Sequence, residues 1–432
     1  MVQESFLHQV WQRHPWRGKI LQVVPHQPLE IIHPGVLNTY GGPDFHAGRL
    51  RMGNQEWAGH IELHVRSSDW FRHGHNQDPA YANVILHVVW EHDEEVVLGD
   101  RGPLPTLELK GLIPENWRHQ QRELDGSLND PPCSMHFPLH VPGAEDWDEM
   151  WVIRRLERRV EMWKERLLSL NMDWGQLLWE ALLRSQGGAA NALPFQLLGR
   201  AFPLNLAYRY RNQTDTLTAL ILGQAGLLND FDAQTARWQQ THKALGPGLL
   251  GPPLPLFLWK MGGIRPAAFP ALRLARMQAI LQHCHPLTKL LSPGGAESLR
   301  AAWSLPLPEY WQTHYHPGRP SKTRRSQGWT GYESALLNAL CPLIYLRGKL
   351  RNRPEWMQAA LDWHRELPAE KNRITQKWKG SGLPLLSAIN SQSALERYES
   401  ACQNRQCSTC PIGQHLVFEG GAAPHPPPNP HP

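Results

Sequence analysis

The pattern of hydrophobic and polar residues changes near residue 145. From about 30 to 110, short β-prone runs are separated by Gly, Asn, Asp and Pro, which is typical of strands joined by turns. These runs are 48–53, 56–66, 83–92 and 104–111. A short amphipathic pattern over 4–12 predicts a helix before them. The first part of the chain therefore predicts a mixed β-sheet domain with flanking helices.

After residue 145 the apolar residues follow helical spacing instead. One apolar stripe is formed by Trp151, Ile153, Leu156, Val160, Trp163 and Leu167. Further helical runs are 173–186, 192–202, 214–228, 270–283 and 332–349. The sequence predicts an α+β chain with a sheet domain over 1–135, a mainly helical domain over 145–415 and a disordered, Pro-rich tail over 416–432.

Composition narrows the class of protein. The 432 residues can form two domains, and 41% hydrophobic with 19% charged residues is a globular composition. The formal net charge of +5 is compatible with a nucleic-acid partner without requiring one. No basic segment followed by an apolar run opens the chain, and no run of 18 apolar residues occurs. We therefore expect a cytoplasmic protein without a membrane partner.

The strand HIELHVR carries the strongest candidate chemistry. Side chains alternate between the two faces of a strand, so Ile61, Leu63 and Val65 are expected to face the core. The opposite face then carries His60, Glu62, His64 and Arg66. Four ionisable groups on one face need water, partners or a metal. The open alternative is the solvated side of an antiparallel sheet.

A carboxylate precedes this strand in the segment Gly41-Gly42-Pro43-Asp44. Asp44 comes just before the preceding strand, so we expect it to lie across from Glu62. Carboxylate oxygens are the ligands that Mg²⁺ and Mn²⁺ prefer, and such ions assist phosphodiester hydrolysis. His64 can act as a base or as a metal ligand.

Pro43-Asp44 and Glu62-Leu63-His64 resemble the motif of the PD-(D/E)xK nuclease superfamily. The resemblance implies a restriction-endonuclease-like fold, with Mg²⁺ or Mn²⁺ on Asp44 and Glu62 and with Glu4 as the upstream acidic residue. It implies a metal-dependent nuclease-like phosphodiesterase. His64 stands where the superfamily has a Lys that positions or activates water, which is a departure from the pattern.

A second set of possible ligands follows a predicted helix start at Ser67-Ser68-Asp69-Trp70. His73, His75 and Asp78 are suitable ligands for a softer ion such as Zn²⁺ or Mn²⁺. His87 interrupts the apolar run VILHVVW and is either a further ligand or a hydrogen-bonded core residue. This block makes a zinc-type metallohydrolase an alternative function.

The motif Cys402-x4-Cys407-x2-Cys410-Pro411 near the end of the chain indicates a metal site. Free thiols or a redox pair are the alternative. The candidates for a fourth ligand are Cys133, Cys284, Cys341 and His415. We favour Cys133, which lies in a rigid Pro-Pro-Cys loop that we expect to be exposed. Some PD-(D/E)xK nucleases hold a [4Fe–4S] cluster with a similar arrangement, so we expect that cluster or a structural Zn²⁺.

Basic residues supply candidate contacts to nucleic acid. Lys322, Arg324 and Arg325 precede Trp329, and Arg66 lies on the polar face of the HIELHVR strand. Cations neutralise phosphates and aromatic rings stack on bases. A non-catalytic nucleic-acid-binding protein therefore remains a further alternative.

Longer segments resemble an uncharacterised bacterial family, domain of unknown function 2851. The matching segments include ESFLHQVW, HPGVLNTYGGPDFHAGRL, WAGHIELHVRSSDWFRHGH, YANVILHVVWEHD, GGIRPAAFPALRLARMQ and CQNRQCSTCPIG. The resemblance runs from about 4 to 415. It implies family membership but no activity.

Overall fold

The computed structural model describes residues 2–16, 18–38, 41–136, 144–228, 232–321 and 331–419. The chain forms two compact units. The sheet unit comprises Met1–Trp147, Asn372–Pro384 and the chain from Arg397, and the helical unit comprises Asp148–Lys371 and Leu385–Glu396. The predicted α+β class, with a mixed sheet first and helices after it, is confirmed.

The sheet unit contains a mixed sheet. Its strands are β1 (Leu21–Val23), β2 (Gln27–His33), β3 (Val36–Leu37), β4 (Phe45–Met52), β5 (Gln55–Arg66), β6 (Val84–Glu91) and β7 (Thr106–Glu108). They lie in the order β1-β2-β4-β5-β6-β7, with β3 paired to β4. Pairs up to β4–β5 are antiparallel, whereas β5–β6 and β6–β7 are parallel.

The register around β5 sets the position of its polar residues. Across the β4–β5 hairpin Phe45 pairs with Ile61 and Gly48 with Gly59, and a bulge lies between these pairs. A Cβ at Gly48 would lie 2.5 Å from Ile61 Cδ1, so a larger residue there would force the buried Ile61 side chain to move. On the other side of β5, the parallel register pairs Glu62 with His87 of β6.

The helices lie in both units, most of them in the helical unit. They are α1 (Glu4–Arg13), α2 (Asp69–Arg72), α3 (Glu115–Gly126), α4 (Ala144–Ser169), α5 (Trp174–Gln186), α6 (Gly188–Ala201), α7 (Leu204–Arg209), α8 (Thr214–Gln224), α9 (Ala233–Leu249), α10 (Pro270–His283), α11 (Gly295–Trp303), α12 (Glu309–Thr313), α13 (Tyr332–Ala335), α14 (Cys341–Arg351), α15 (Pro354–Glu366), α16 (Arg373–Gly380), α17 (Ala388–Arg397) and α18 (Pro411–Phe418). A hairpin of β8 (His314–His316) and β9 (Arg319–Pro320) follows α12. Each predicted helical run contains a helix.

The sheet unit includes segments from beyond residue 135, where the sheet domain was predicted to end. The boundary after 135 was expected to separate the two parts of the chain, yet α16 and the chain from Arg397 belong to the sheet unit. Helical periodicity shows that a segment is helical but not which core buries it. The tail was also predicted to begin at 416, whereas α18 continues to Phe418, whose ring lies 6.0 Å from that of Phe6. Residues 420–432 lie outside the described part of the chain.

The helical unit buries the predicted stripe of α4, with Leu156 and Val160 in its core. Two arginines of α4 lie on the polar side of this stripe. Arg155 and Arg158 bind the buried Glu396, at 3.1 and 2.6 Å. They are structural ion pairs. Among the described residues, no helix has both the length and the apolar character needed to cross a bilayer.

Candidate metal centre

Strand β5 is the platform of the site. Glu62 and His64 point to one face, as the alternation predicts, but both are buried, at 4% and 1% exposure. The alternative of a solvated strand face is therefore wrong. The chain after β5 covers this face: α2 and the turns that follow bring Trp70, His73 and His75 against the His64 ring, with centroids 4.9–6.4 Å away.

The structure places Asp44 beside Glu62. The Asp44 amide donates to Glu62 Oε2 at 3.0 Å, and the Leu63 amide donates to Asp44 Oδ2 at 2.9 Å. Each carboxylate thus accepts a hydrogen bond from the backbone of the other's segment. This reciprocal pairing fixes the two carboxylates relative to each other.

Helix α1 adds two further ligand atoms. Glu4, His8 and Asp44 each offer one donor atom, and the three donors lie within 4.8 Å of one another. His8 Nε2 lies 3.2 Å from Asp44 Oδ2. Sequence reasoning found Glu4 but missed His8. The available signal was the spacing of four residues, which places both side chains on one face of a helix.

A second group of donors consists mainly of histidines. His64, His73 and His75 offer donors that lie within 4.8 Å of one another, with His64 Nε2 3.1 Å from His73 Nδ1. Glu62 Oε1 lies 3.1 Å from His75 Nε2 and 3.6 Å from His64 Nε2. Zinc–nitrogen bonds of about 2.0–2.1 Å in a tetrahedral site imply donor separations of about 3.4 Å. The three histidines therefore suit one cation, with Glu62 at ligand spacing from His64 and His75 but outside the group of mutually close donors.

His87 and Asp78 have other positions. His87 Nε2 lies 2.8 Å from His64 Nδ1, on the side of the ring away from His73, so His87 orients His64 from within the sheet. Asp78 accepts a hydrogen bond from the Ala80 amide at 2.9 Å and caps the turn that follows. Neither residue belongs to the two donor groups found among the described residues.

The electrostatics of the site favour a bound cation. Burial and the Asp44 carboxylate raise the pKa of Glu62, and the same two causes raise the pKa of Glu4 to about 7. Burial, followed by the neighbouring histidines, holds the pKa of His64 far below its usual value. Metal binding requires ionised carboxylates and neutral imidazoles. A cation relieves the carboxylate repulsion, and burial already keeps His64 neutral.

Tyr81 is a member of the site that the sequence did not indicate. Its ring stacks on His75 with centroids 3.8 Å apart. Burial and the nearby Glu62 carboxylate raise the pKa of Tyr81 to about 12, so its hydroxyl stays protonated. Tyr81 therefore fixes the orientation of the His75 ring.

Of the predicted nucleic-acid contacts, the described part of the chain includes Arg66. Arg66 is exposed at the end of β5, where it pairs in register with Glu91. Lys322, Arg324 and Arg325 lie outside the described residues.

The cysteine prediction is partly corrected. The loop with Cys133 was expected to be exposed, but Cys133 is only 6% exposed. The preceding prolines are buried with it, and Asp130 accepts a hydrogen bond from the Tyr398 hydroxyl at 2.9 Å. Cys284 and Cys341 lie in the core of the helical unit.

Comparison with known proteins gives the family. The model of the family described as "Protein of unknown function (DUF2851)" matches residues 4–373. The chain belongs to the DUF2851 family. The match of this DUF2851 member ends before the Cys402–Cys410 motif, earlier than the expected 415. No curated protein and no solved structure matches at a significant level.

Proposed function

We propose that this DUF2851 protein is a metal-dependent hydrolase that cleaves phosphodiesters of nucleic acid. The observation that carries the proposal is that Glu62 contacts Asp44 of one donor group and both His64 and His75 of the other. The first group comes from α1 and the residue before β4, and the second from β5 and the chain after it. Glu62 offers Oε1 to the histidines and Oε2 to the Asp44 side, so it can serve both groups.

Hard and soft donors are separated within the site. Glu4 and Asp44 supply oxygen ligands of the kind that Mg²⁺ and Mn²⁺ prefer. His64, His73 and His75 supply nitrogen ligands of the kind that Zn²⁺ or Mn²⁺ accepts. Two adjacent cations in such a site would polarise a phosphoryl oxygen and lower the pKa of bound water. The net charge of +5 favours a polyanionic substrate.

The PD-(D/E)xK resemblance and its restriction-endonuclease-like fold are part of this proposal. Asp44 and Glu62 lie side by side, which supports that pattern. His64 has a different role from the Lys of the superfamily, since its Nε2 atom faces His73 and its Nδ1 atom faces His87. We therefore assign His64 as a metal ligand and leave the activation of water to the bound cation.

A second candidate is a hydrolase with one Zn²⁺, held by His64, His73, His75 and Glu62. Three neighbouring donor pairs, His64–His73, Glu62–His64 and Glu62–His75, lie 3.1–3.6 Å apart, which supports this candidate. In that enzyme Glu4 and Asp44 would hold no ion. Asp44→Asn would then leave the zinc content at one per chain and reduce activity only through its contact with Glu62.

The test is hydrolysis by the full-length, metal-free protein. We would add Mg²⁺, Mn²⁺ or Zn²⁺ and offer single- and double-stranded DNA, RNA and an activated phosphodiester. The variants Asp44→Asn and Glu62→Gln, and the double variant His73→Ala/His75→Ala, are expected to lose activity. Glu56→Gln is the matched control, since Glu56 is a carboxylate of the same strand that forms exposed ion pairs.

Three outcomes would contradict the proposal. Absence of hydrolysis with every metal would remove the enzyme assignment, and salt-sensitive binding without cleavage would then favour a nucleic-acid-binding protein. Activity that survives Asp44→Asn and Glu62→Gln would place the chemistry elsewhere. Equal loss in Glu56→Gln would point to misfolding and not to lost ligands.

A further inference from the structure

Four of the six cysteines lie in the sheet unit, in two segments far apart in sequence. Cys133 lies in the turn Pro132–His136, and Cys402, Cys407 and Cys410 follow α17. All four are buried, with exposed fractions of 6–8%, and all four are free thiols.

Specific contacts hold the two segments together. Asp130 accepts hydrogen bonds from the Tyr398 hydroxyl and the Lys377 ammonium group. Arg405 Nη1 donates to the Ser127 carbonyl at 2.5 Å. Tyr398 and Arg405 lie on either side of Cys402, and their partners Asp130 and Ser127 lie shortly before Cys133, so these contacts bring the two thiols into one region.

The later segment is folded as a compact turn. The Arg405 amide donates to the Cys402 carbonyl at 3.1 Å, and the Cys410 amide donates to the Cys407 carbonyl at 3.1 Å. A Cβ at Gly413 would lie 2.0 Å from the Cys407 carbonyl oxygen, so only glycine lets this turn pack against α18. The backbone therefore holds Cys407 and Cys410 close together at the start of α18.

The four thiols are electrostatic neighbours. Burial and the thiols of Cys410 and Cys407 raise the pKa of Cys133, and burial with the thiols of Cys410 and Cys133 raises that of Cys402. Burial and Cys410 raise the pKa of Cys407 to about 12. Four buried thiols that the joined segments bring into one region, without a disulfide, are a suitable arrangement for a thiophilic metal, which takes thiolate ligands.

We propose that Cys133, Cys402, Cys407 and Cys410 together bind a metal centre with four thiolate ligands. The spacing Cys-x2-Cys followed by Pro is compatible with a [4Fe–4S] cluster and with a structural Zn²⁺, both of which take four thiolates. Metal binding would join residues more than 260 positions apart in sequence. This inference does not rest on the proposed hydrolase function.

The centre would also stabilise α1. Ser5 Oγ lies 3.2 Å from Ser408 Oγ, and Gln3 Nε2 donates to the Arg405 carbonyl at 3.5 Å. The cysteine segment is thus in direct contact with the helix that carries Glu4. Loss of the metal is expected to increase amide hydrogen exchange in residues 4–13.

The test is metal analysis of the full-length protein purified without oxygen. We expect either iron with equal acid-labile sulfide and visible absorption, or one tightly held zinc that the histidine variant His73→Ala/His75→Ala retains. Cys407→Ala and Cys133→Ala are expected to lose this metal. Cys284→Ala and Cys341→Ala are matched controls, because these buried cysteines lie in the helical unit and should leave the metal content unchanged.

Thiol titration of the wild-type protein tests the same proposal without a cysteine variant, so it remains valid if a variant misfolds. Removing the metal from the wild-type protein should expose four additional reactive thiols, and the same four in both control variants. Iron with sulfide would assign a cluster, and zinc would assign a single ion. Absence of both metals, disulfides among the four cysteines, or unchanged metal in Cys407→Ala would overturn the proposal. Loss of hydrolysis with the cysteine-bound metal intact would affect only the proposed function.

Discussion

Replacing His87 tests whether His64 is a metal ligand. His87 is fully buried, and its Nε2 atom lies 2.8 Å from His64 Nδ1. If His64 binds the cation through Nε2, its Nδ1 carries the proton and donates it to His87. His87→Leu removes this acceptor and puts an apolar side chain of similar size in its place. His87→Gln keeps a polar side chain that can accept the hydrogen bond.

The expected effect follows from this one contact. Partners that orient a ligating histidine contribute a factor of about 10–100 in metal affinity, which corresponds to about 1.4–2.7 kcal/mol. A donor left buried without a partner costs about 1–3 kcal/mol of stability. His87→Leu should therefore weaken metal binding by one to two orders of magnitude and lower the free energy of unfolding, whereas His87→Gln should recover part of both losses.

The assay is a competition titration of Zn²⁺ between the metal-free protein and a chelator, with thermal unfolding measured on the same samples. The circular dichroism spectrum should stay unchanged in both variants. Zinc affinity of His87→Leu within twofold of the wild type would refute the assignment of His64 as a ligand. A loss of affinity in His87→Gln equal to that in His87→Leu would show that packing, and not the hydrogen bond, is responsible.

Three further predictions concern stability. Burial lowers the pKa of His364 to about 4 in the folded protein, whereas the unfolded chain protonates near the ordinary value of about 6.5. The free energy of unfolding is therefore undiminished above about pH 6.5 and should fall by up to about 3 kcal/mol as the pH is lowered to 4. Urea unfolding at these two pH values should show a smaller fall in His364→Gln than in the wild type. Glu396→Ala leaves buried positive charge without its carboxylate and should lower the free energy of unfolding by about 3–5 kcal/mol. Glu355 is exposed, so Glu355→Ala should lower it by less than about 1 kcal/mol. Equal losses in the two variants, measured by urea unfolding, would contradict this. Gly59→Ala places a Cβ 2.6 Å from a backbone carbonyl oxygen and should destabilise by about 1–3 kcal/mol; Gly41→Ala, in open space, is its control, and equal melting temperatures would contradict the steric argument.

The fold was predictable where the periodicity was strong. The apolar stripe of α4 and the run 270–283 follow a period that only a helix provides, and the structure has helices there. Strands β1, β2 and β3 were missed, because β2 alternates only weakly and buries just Leu29 and Ile31. The parallel pairing of β5 with β6 depends on contacts between segments, which local sequence does not encode.

For the site too, the local pattern was predictable and the contacts between segments were not. Alternation along β5 placed Glu62 and His64 on one face, but it gave no information about what covers that face. The cover comes from the chain that returns after β5 and from α1, which supplies His8. A histidine in an amphipathic helix carries no signal until the helix is placed against a sheet. Residue type therefore identified most of the candidate ligands, and topology alone assembled them.

The reciprocal hydrogen bonds between Asp44 and Glu62 make the site sensitive to chain length as well as to residue identity. A shift of one residue in a strand register moves every side chain to the opposite face. The turn at Gly53-Asn54 sets the register of β4 against β5. An insertion or deletion of one residue there would separate Asp44 from Glu62 while leaving every candidate ligand in the sequence. In homologues of this protein, the number of residues between these two positions should therefore be as invariant as the two carboxylates themselves.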